Sequence, residues 1–147
     1  MDNFPKAEYG AYAGDLTPLK AWKMLKNDAS SELFDVRTDA EFSYVGRPDL
    51  SSIGKDIRLV MWVNFPENLV NPEFANEVKA TGAEPFQKLL FLCRSGVRSR
   101  YAAEVMTAAG FPNCYNILEG FEGDKDERGH RGIIAGWKVA DLPWVQG

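Results

Sequence analysis

The feature that most constrains the fold is a run of apolar residues that ends at a cysteine. Residues 88–92 read KLLFL, Cys93 follows directly, and a glycine-containing segment then opens into residues with helical apolar spacing. A strand whose successive residues are apolar is covered on both faces, which is typical of the centre of a parallel sheet. Elsewhere short apolar runs alternate with amphipathic segments, a pattern of α/β proteins. We therefore predict an α/β fold with a central, mostly parallel five-stranded sheet flanked by helices on both faces.

The other strands and the helices are predicted from apolar periodicity and from residues that cap helices. Strands are expected to start at residues 12–13 and to cover residues 33–36, 57–63 and 115–118. Thr17 and Pro18 suit the N-cap and the first position of a helix, and Thr38 with Glu41 forms a capping box for a short helix. Three further helices are expected, after an N-cap at residue 71, up to residue 109, and from residue 133 to 142.

Composition and charge limit the kinds of protein to which this chain can belong. The 147 residues are 45% hydrophobic, and we expect a single domain over residues 1–147, with a flexible N-terminus over residues 1–11. A balance of 17 basic and 21 acidic residues argues against nucleic acid or an anionic membrane as the main partner. The apolar runs are too short to span a bilayer, and no signal-peptide pattern is present. Two cysteines make no disulfide framework, so we expect a cytoplasmic protein with reduced thiols.

The chemistry of the chain is concentrated where the apolar strand ends. In open parallel sheets ligands bind at the carboxyl ends of the strands, and Cys93 is predicted to lie there. The helix that opens after Gly96 would present backbone N–H groups and a partial positive charge, which stabilise a thiolate or an anionic persulfide. Arg94 and Arg98 add permanent charges suited to a thiosulfonate group. The competing interpretation is a buried, inert cysteine beside two solvated arginines.

The segment around Cys93 resembles a known active-site loop. Residues 93–98 read CRSGVR, and the rhodanese family has the pattern C-R-x-G-x-R at its active site. Residues 34–37, FDVR, and the pair at 41–42, EF, are similar to the family's D-V-R…E-[FY] segment. Residues 116–121, NILEGF, stand where the family has a strand and a glycine turn, and stretches within residues 120–144 resemble a bacterial single-domain subgroup. Residues 44–50, YVGRPDL, replace the family's G-H-I-x-G-A segment, and Gly120-Phe121 replaces its usual paired glycine.

The resemblance implies a rhodanese-like fold and a sulfurtransferase. Such an enzyme moves a sulfane sulfur from thiosulfate or a related persulfide donor to a thiol, cyanide or a protein acceptor, through a persulfide on Cys93 as the catalytic residue. This two-step covalent route needs no metal or organic cofactor. The residues expected to bind the substrate are Arg94, Ser95, Gly96, Val97, Arg98 and Ser99. Asp35 and Arg37 are interpreted as a scaffold pair that supports the neighbouring loops.

The remaining chemically capable residues are given structural interpretations. Cys114 precedes a parallel strand and should lie at the opposite end of the sheet from Cys93, too far for a disulfide. His130, the only histidine, is expected in a surface loop, and one histidine with two distant cysteines makes no metal site. Residues 124–128, DKDER, are expected to be solvated.

Three other functions remain open at this point. A non-catalytic rhodanese-like binding module is one, although such modules often lack the cysteine. A cysteine-dependent phosphatase or arsenate reductase of the same fold is another, but its loop places an arginine six positions after the cysteine, where this chain has Ser99. The third keeps the chemistry and makes the protein a persulfide relay to a partner protein.

Overall fold

The strands of the central sheet are all parallel, as shown by a computed structural model that describes residues 11–64 and 69–146. Apart from Ala11, the predicted flexible N-terminus lies outside the described residues. The described residues contain the strands β1 (Gly14–Leu16), β2 (Glu32–Asp35), β3 (Arg47–Pro48), β4 (Arg58–Leu59), β5 (Val63–Asn64), β6 (Leu69–Val70), β7 (Leu89–Leu92), β8 (Cys114–Ile117) and β9 (Trp144–Val145). Five of them form the sheet in the order β1-β8-β7-β2-β4, which confirms the predicted five-stranded architecture.

Helices cover both faces of this sheet. They are α1 (Pro18–Asn27), α2 (Phe74–Ala80) and α3 (Val97–Ala108), with a π-helical turn over Glu41–Val45 and a 3-10 turn over Ser51–Ile53. Two small antiparallel ladders, β3 with β9 and β5 with β6, lie beside the main sheet. Within the described ranges, no helix is long and apolar enough to cross a membrane.

The core is divided between the two faces because successive residues of a strand point in opposite directions. On one face Phe34 and Phe91 stack with their ring centroids 5.5 Å apart, and α2 and α3 pack over them. On the other face Leu33, Leu90 and Leu92 pack against α1. All four residues of β7 are buried, as the apolar run predicts. The strand that leads to Cys93 is therefore fixed from both sides.

Local capping signals largely determine where the early helices begin. The Thr17 hydroxyl accepts a hydrogen bond from the backbone N–H of Lys20 at 3.2 Å, and Pro18 is the first residue of α1. In the predicted capping box, Thr38 N–H donates to the Glu41 carboxylate at 3.2 Å and Glu41 N–H donates to the Thr38 hydroxyl at 3.3 Å. Both predictions are confirmed.

Three predictions of elements were wrong in part. The first strand begins at Gly14, two residues later than expected, and the predicted strand 57–63 is broken into β4 and β5. The helix predicted after Asn71 begins only at Phe74, because the Asn71 side chain accepts from Glu73 N–H at 3.0 Å and holds the intervening residues in a turn.

The predicted helix around Trp137 is absent, and residues 131–141 form bends and turns instead. Gly136 has a φ of +106°, which a right-handed helix does not allow. Trp137 N–H donates to the carbonyl of Gly120 at 2.8 Å rather than to a carbonyl four residues earlier. Tertiary hydrogen bonds to the turn at residues 120–123 thus override the helical spacing of the sequence.

Candidate active site

The sulfur of Cys93 lies directly beyond the last residue of β7, at the carboxyl end of the sheet. The backbone N–H of Gly96 points at this sulfur with an N···S distance of 3.1 Å. Gly96 adopts a φ of +105° and ends the loop at the N-cap of α3. Because L side chains rarely adopt this conformation, a glycine is needed for the chain to turn back over the sulfur. The loop therefore presents a backbone donor to the position where negative charge would develop on sulfur.

A cavity of about 480 Å³ opens above Cys93. It is lined by Thr38, Glu41, Val63, Cys93, Arg94, Ser95, Val97 and Arg98. Cys93 is 1% exposed and forms part of the floor, whereas Val97 is 59% exposed. The cavity thus joins a shielded sulfur to an open mouth that has apolar as well as charged residues.

The two arginines beside Cys93, Arg94 of the loop and Arg98 in the first turn of α3, are not equivalent. Arg98 makes a two-pronged ion pair with Glu41, with N···O distances of 2.9 and 3.0 Å. Arg94 is exposed, and its guanidinium makes no ion pair with any residue of the described ranges. The uncompensated positive charge of the cavity therefore belongs to Arg94, whereas the sequence interpretation gave the two arginines equal roles.

Glu41 lines the cavity, although the sequence interpretation gave it no role there beyond the capping box and the family's E-[FY] segment. Burial alone would raise the pKa of Glu41, but the hydrogen bonds and charge of Arg98 outweigh burial and lower that pKa. The ion pair consequently persists below the pH at which a free carboxylate takes up its proton. Since the capping box with Thr38 fixes the start of this helical turn, it also fixes the carboxylate that holds Arg98.

A chain of hydrogen bonds connects the Cys93 sulfur with polar residues of β8 and β1. The hydroxyl of Ser99 lies 3.2 Å from the Cys93 sulfur and donates to the Asn116 carbonyl oxygen at 2.6 Å. The Asn116 amide in turn donates to the Asp15 carboxylate at 3.1 Å. Sequence reasoning did not identify Asn116 or Asp15; the available signal is a buried polar residue within the strand sequence CYNI of β8.

The predicted scaffold pair is fully buried beneath the site. Arg37 binds Asp35 through Nε at 2.9 Å and Nη2 at 2.6 Å, and Nη2 also donates to the carbonyl of Gly46 at 2.7 Å. Its guanidinium lies 4.4 Å from the centroid of the Phe121 ring. These contacts link the end of β2 to two other segments.

The loop that holds Cys93 rests on the turn at residues 120–123. Phe121 N–H donates to the carbonyl of Cys93 at 2.8 Å, and the N–H groups of Glu122 and Gly123 both donate to the carbonyl of Arg94 at 3.0 Å. Gly120 approaches so closely that a Cβ there would lie 2.6 Å from the Arg94 carbonyl oxygen. The turn thus fixes the backbone of residues 93 and 94 through these hydrogen bonds.

Replacing Gly120 by alanine is expected to lower the free energy of unfolding by about 2–4 kcal/mol, because it combines an unfavourable positive φ with overpacking against the loop. Urea denaturation measures this change. Gly54→Ala is the matched control, since Gly54 has a φ of +70° against +63° for Gly120 but meets no atom within 4 Å. Equal losses in the two variants would show that the close approach to the loop contributes nothing.

The residues with structural interpretations lie away from the sulfur. Cys114 begins β8 and pairs with Leu89, so Cys93 stands four residues farther along the sheet, about 13 Å at 3.3 Å per residue. Burial raises the pKa of Cys114 to about 12, and both cysteines are free. His130 is exposed, and its backbone N–H donates to Asp126 in the charged loop. Among the described residues, no group of three or more potential ligands could hold a metal ion.

Comparisons with known proteins extend over nearly the whole chain. The family model described as the STR4 middle domain matches residues 14–147. An uncharacterised protein of Rickettsia prowazekii is 39% identical over 127 residues, which cover 85% of this chain and 91% of that protein. The chloroplastic rhodanese-like domain-containing protein 4 of Arabidopsis thaliana is 28% identical over 127 residues, or 86% of this chain and 24% of the plant protein.

Solved structures share the fold. The crystal structure of Rv0390 from M. tuberculosis matches with a TM-score of 0.85 and 47% identity, over 93% of this chain and 100% of that chain. The polysulfide-sulfur transferase homodimer from Wolinella succinogenes matches with a TM-score of 0.64 and 21% identity, over 97% of this chain and 84% of that one. At this lower identity the second likeness concerns the fold alone.

Proposed function

This chain belongs to the STR4 middle-domain family of rhodanese-like proteins, and on that basis we propose that it is a sulfurtransferase with Cys93 as the sulfur-carrying residue. The observation that supports this most directly is the position of the Cys93 sulfur. It lies at the base of an open cavity, 3.1 Å from the backbone nitrogen of Gly96, and the cavity is also lined by Arg94 and Arg98. Such a site stabilises negative charge on sulfur both before and after transfer.

The proposed reaction has two steps that balance without an added oxidant or reductant. The Cys93 thiolate attacks the outer sulfur of thiosulfate; a sulfur–sulfur bond forms at Cys93, the bond within thiosulfate breaks, and sulfite leaves with the electron pair. A nucleophilic acceptor then attacks the terminal sulfur of the persulfide. The bond to the Cys93 sulfur breaks and its electron pair returns to Cys93, which regenerates the thiolate. Dividing the transfer in this way replaces one difficult step with two easier ones.

Arg94 is the residue best placed to bind the sulfonate end of an anionic donor. It lines the cavity and is exposed, while the charge of Arg98 is balanced by Glu41. Ser95 also lines the cavity, and Ser99 contacts the sulfur from below. The volume of about 480 Å³ exceeds the needs of thiosulfate, so the site also has room for a persulfide donor or for a thiol on a larger acceptor.

We further propose that residues 1–147 work as one rhodanese domain in the cytoplasm, with a small sulfur donor and a thiol, cyanide or protein acceptor. One family model spans residues 14–147, and both cysteines are free thiols, the form that the proposed chemistry requires. Because reducing compartments keep thiols in this form, the cytoplasm suits the reaction. Each step balances without a metal or organic cofactor.

Mass spectrometry of the thiosulfate-treated protein tests the proposal. The reduced protein is incubated with thiosulfate, and intact and peptide masses are measured before and after cyanide is added. We expect a gain of one sulfur atom on the peptide that contains Cys93 and its loss with cyanide. Cys114→Ala is the matched control and should load in the same way. If neither thiosulfate nor glutathione persulfide adds sulfur, the binding-module interpretation replaces the sulfurtransferase.

Replacing Glu41 by glutamine is expected to lower the KM for thiosulfate about fivefold, because it releases the charge of Arg98 toward the cavity. Steady-state kinetics with thiosulfate and with an uncharged persulfide donor measure the effect, which should be confined to the anion. Glu32→Gln serves as control, since its ion pair with Arg58 lies outside the cavity. An unchanged or higher KM for thiosulfate in the Glu41 variant would mean that Arg98 does not attract the donor.

A further inference from the structure

A continuous chain of hydrogen bonds connects the Cys93 sulfur with the edge strand β1. It passes from Cys93 to Ser99 of α3, to Asn116 of β8 and to Asp15 of β1. Ser99 is 0% exposed and Asn116 is 2% exposed, whereas Asp15 is exposed to solvent. Buried polar groups are costly unless they are satisfied, so the direction of each hydrogen bond in this chain matters.

The direction of the bonds is fixed from the Asp15 end. A carboxylate only accepts hydrogen bonds, so the NH₂ group of Asn116 must face Asp15 and its carbonyl oxygen must face Ser99. An amide oxygen also only accepts, and it lies 2.6 Å from the Ser99 hydroxyl. Ser99 has one hydroxyl proton, and that proton is therefore committed to Asn116.

The direction of the hydrogen bond from Ser99 to Asn116 has a consequence for the sulfur. With its proton directed at Asn116, the Ser99 oxygen offers only lone pairs to the sulfur 3.2 Å away. A protonated Cys93 thiol satisfies that contact by donating its S–H to Ser99. A thiolate would face a second acceptor, and Ser99 could donate to it only by leaving the buried Asn116 oxygen without a partner.

We propose that Asn116 and Asp15 are positioning residues that keep the Ser99 hydroxyl from donating to the Cys93 sulfur and so restrain its reactivity as a nucleophile. The importance of this inference for activity rests on the proposed function, sulfur transfer through Cys93, but a different reaction tests it. Other charged groups near Cys93 are Arg94 and Arg98 on its own loop and helix, Glu41 on the π-helical turn, and the Asp35–Arg37 pair at the end of β2. All of these stay unchanged in the variants below.

The test is the rate at which iodoacetamide alkylates Cys93 at neutral pH, followed on the peptide that contains this residue. In Asn116→Ala the Ser99 proton is free to turn toward the sulfur, and a hydrogen bond to a charged acceptor should raise the alkylation rate at neutral pH about tenfold. The negative charge of Asp15 is retained in this variant, so its loss cannot explain the gain.

A double variant separates this mechanism from a general loosening of the structure. In Asn116→Ala/Ser99→Ala the hydroxyl is absent, and the gain seen in Asn116→Ala should disappear. Loosening would instead expose Cys93 whether or not Ser99 is present. An unchanged or slower rate in Asn116→Ala, or a gain that persists in the double variant, would overturn the proposal.

Two further substitutions keep the test usable if Asn116→Ala fails to fold. Asn116→Leu largely keeps the volume of the buried side chain and removes the oxygen that accepts the Ser99 proton, so it should also raise the alkylation rate. Tyr12→Phe is the matched control, because it removes the 2.7 Å bond from the Tyr12 hydroxyl to Asp15 but keeps the carboxylate, and its rate should stay that of the unmodified protein. No gain in Asn116→Leu overturns the proposal. Persulfide formation is measured separately, so a failed transfer with the expected alkylation rates counts against the proposed function alone.

Discussion

Replacing Cys93 by alanine is expected to lower the rate of sulfur transfer at least about a thousandfold while the folded structure persists, since the nucleophile is lost and nothing replaces it. The other cysteine, Cys114, begins its strand at the opposite end of the sheet, and burial raises its pKa to about 12. Alanine fits the space of the thiol, so the loss of contacts to Gly96 and Ser99 should reduce stability by only about 1 kcal/mol. Thiosulfate:cyanide turnover and thermal unfolding measure the two quantities.

The control for this experiment is Cys114→Ala, which should keep its activity because Cys114 does not reach the cavity. A Cys93→Ala protein with an undiminished rate would refute the proposed role of Cys93. If Cys93→Ala and Cys114→Ala both lose sulfur transfer while remaining folded, the two thiols act together, contrary to their separation along the sheet.

Replacing Arg37 by methionine is expected to reduce the free energy of unfolding by about 3–5 kcal/mol, because it leaves a buried carboxylate without its counter-charge. Arg37 and Asp35 are both 0% exposed, and the guanidinium also holds the carbonyl of Gly46 and packs on Phe121. The apolar stem and volume of arginine are largely kept by methionine, so the change mainly reports the lost charge and hydrogen bonds. Urea denaturation at neutral pH gives the value.

The double variant Asp35→Asn/Arg37→Met tests whether the uncompensated charge is the cause. It removes both charges and should be more stable than Arg37→Met alone, since a neutral amide is easier to bury than a lone carboxylate. If the double variant loses as much stability as the sum of the two single variants, the pair is not coupled and the scaffold interpretation of Asp35 and Arg37 is wrong.

The parts of this molecule that could be predicted from sequence are those set by neighbouring residues. The buried strand before Cys93, the cap at Thr17 and the capping box at Thr38 all depend on residues a few positions apart, and all three are confirmed. The parallel sheet followed from the same local patterns, because a strand without an alternating polar face must be covered on both sides.

Long-range contacts explain what the sequence did not reveal. The hydrogen bond between Asn116 and Asp15 joins residues 101 positions apart, and the ion pair between Arg98 and Glu41 joins residues 57 positions apart. No periodic pattern marks such pairs. The predicted helix around Trp137 failed for a related reason, because its backbone binds the turn at Gly120 instead of itself.

The turn at residues 120–123, which supports the Cys93 loop, also bears on the order in which the protein can fold during synthesis. The carbonyls of Cys93 and Arg94 are held by residues 121–123, and Gly120 is in turn held by Trp137, so every part of this support emerges from the ribosome after the cysteine. Since chains fold as their N-terminal parts appear, a nascent chain that has reached α3 carries the thiol but not the support for its loop. We expect sulfur loading to become possible only once translation has passed Trp137, which links the start of activity to the completion of the fold.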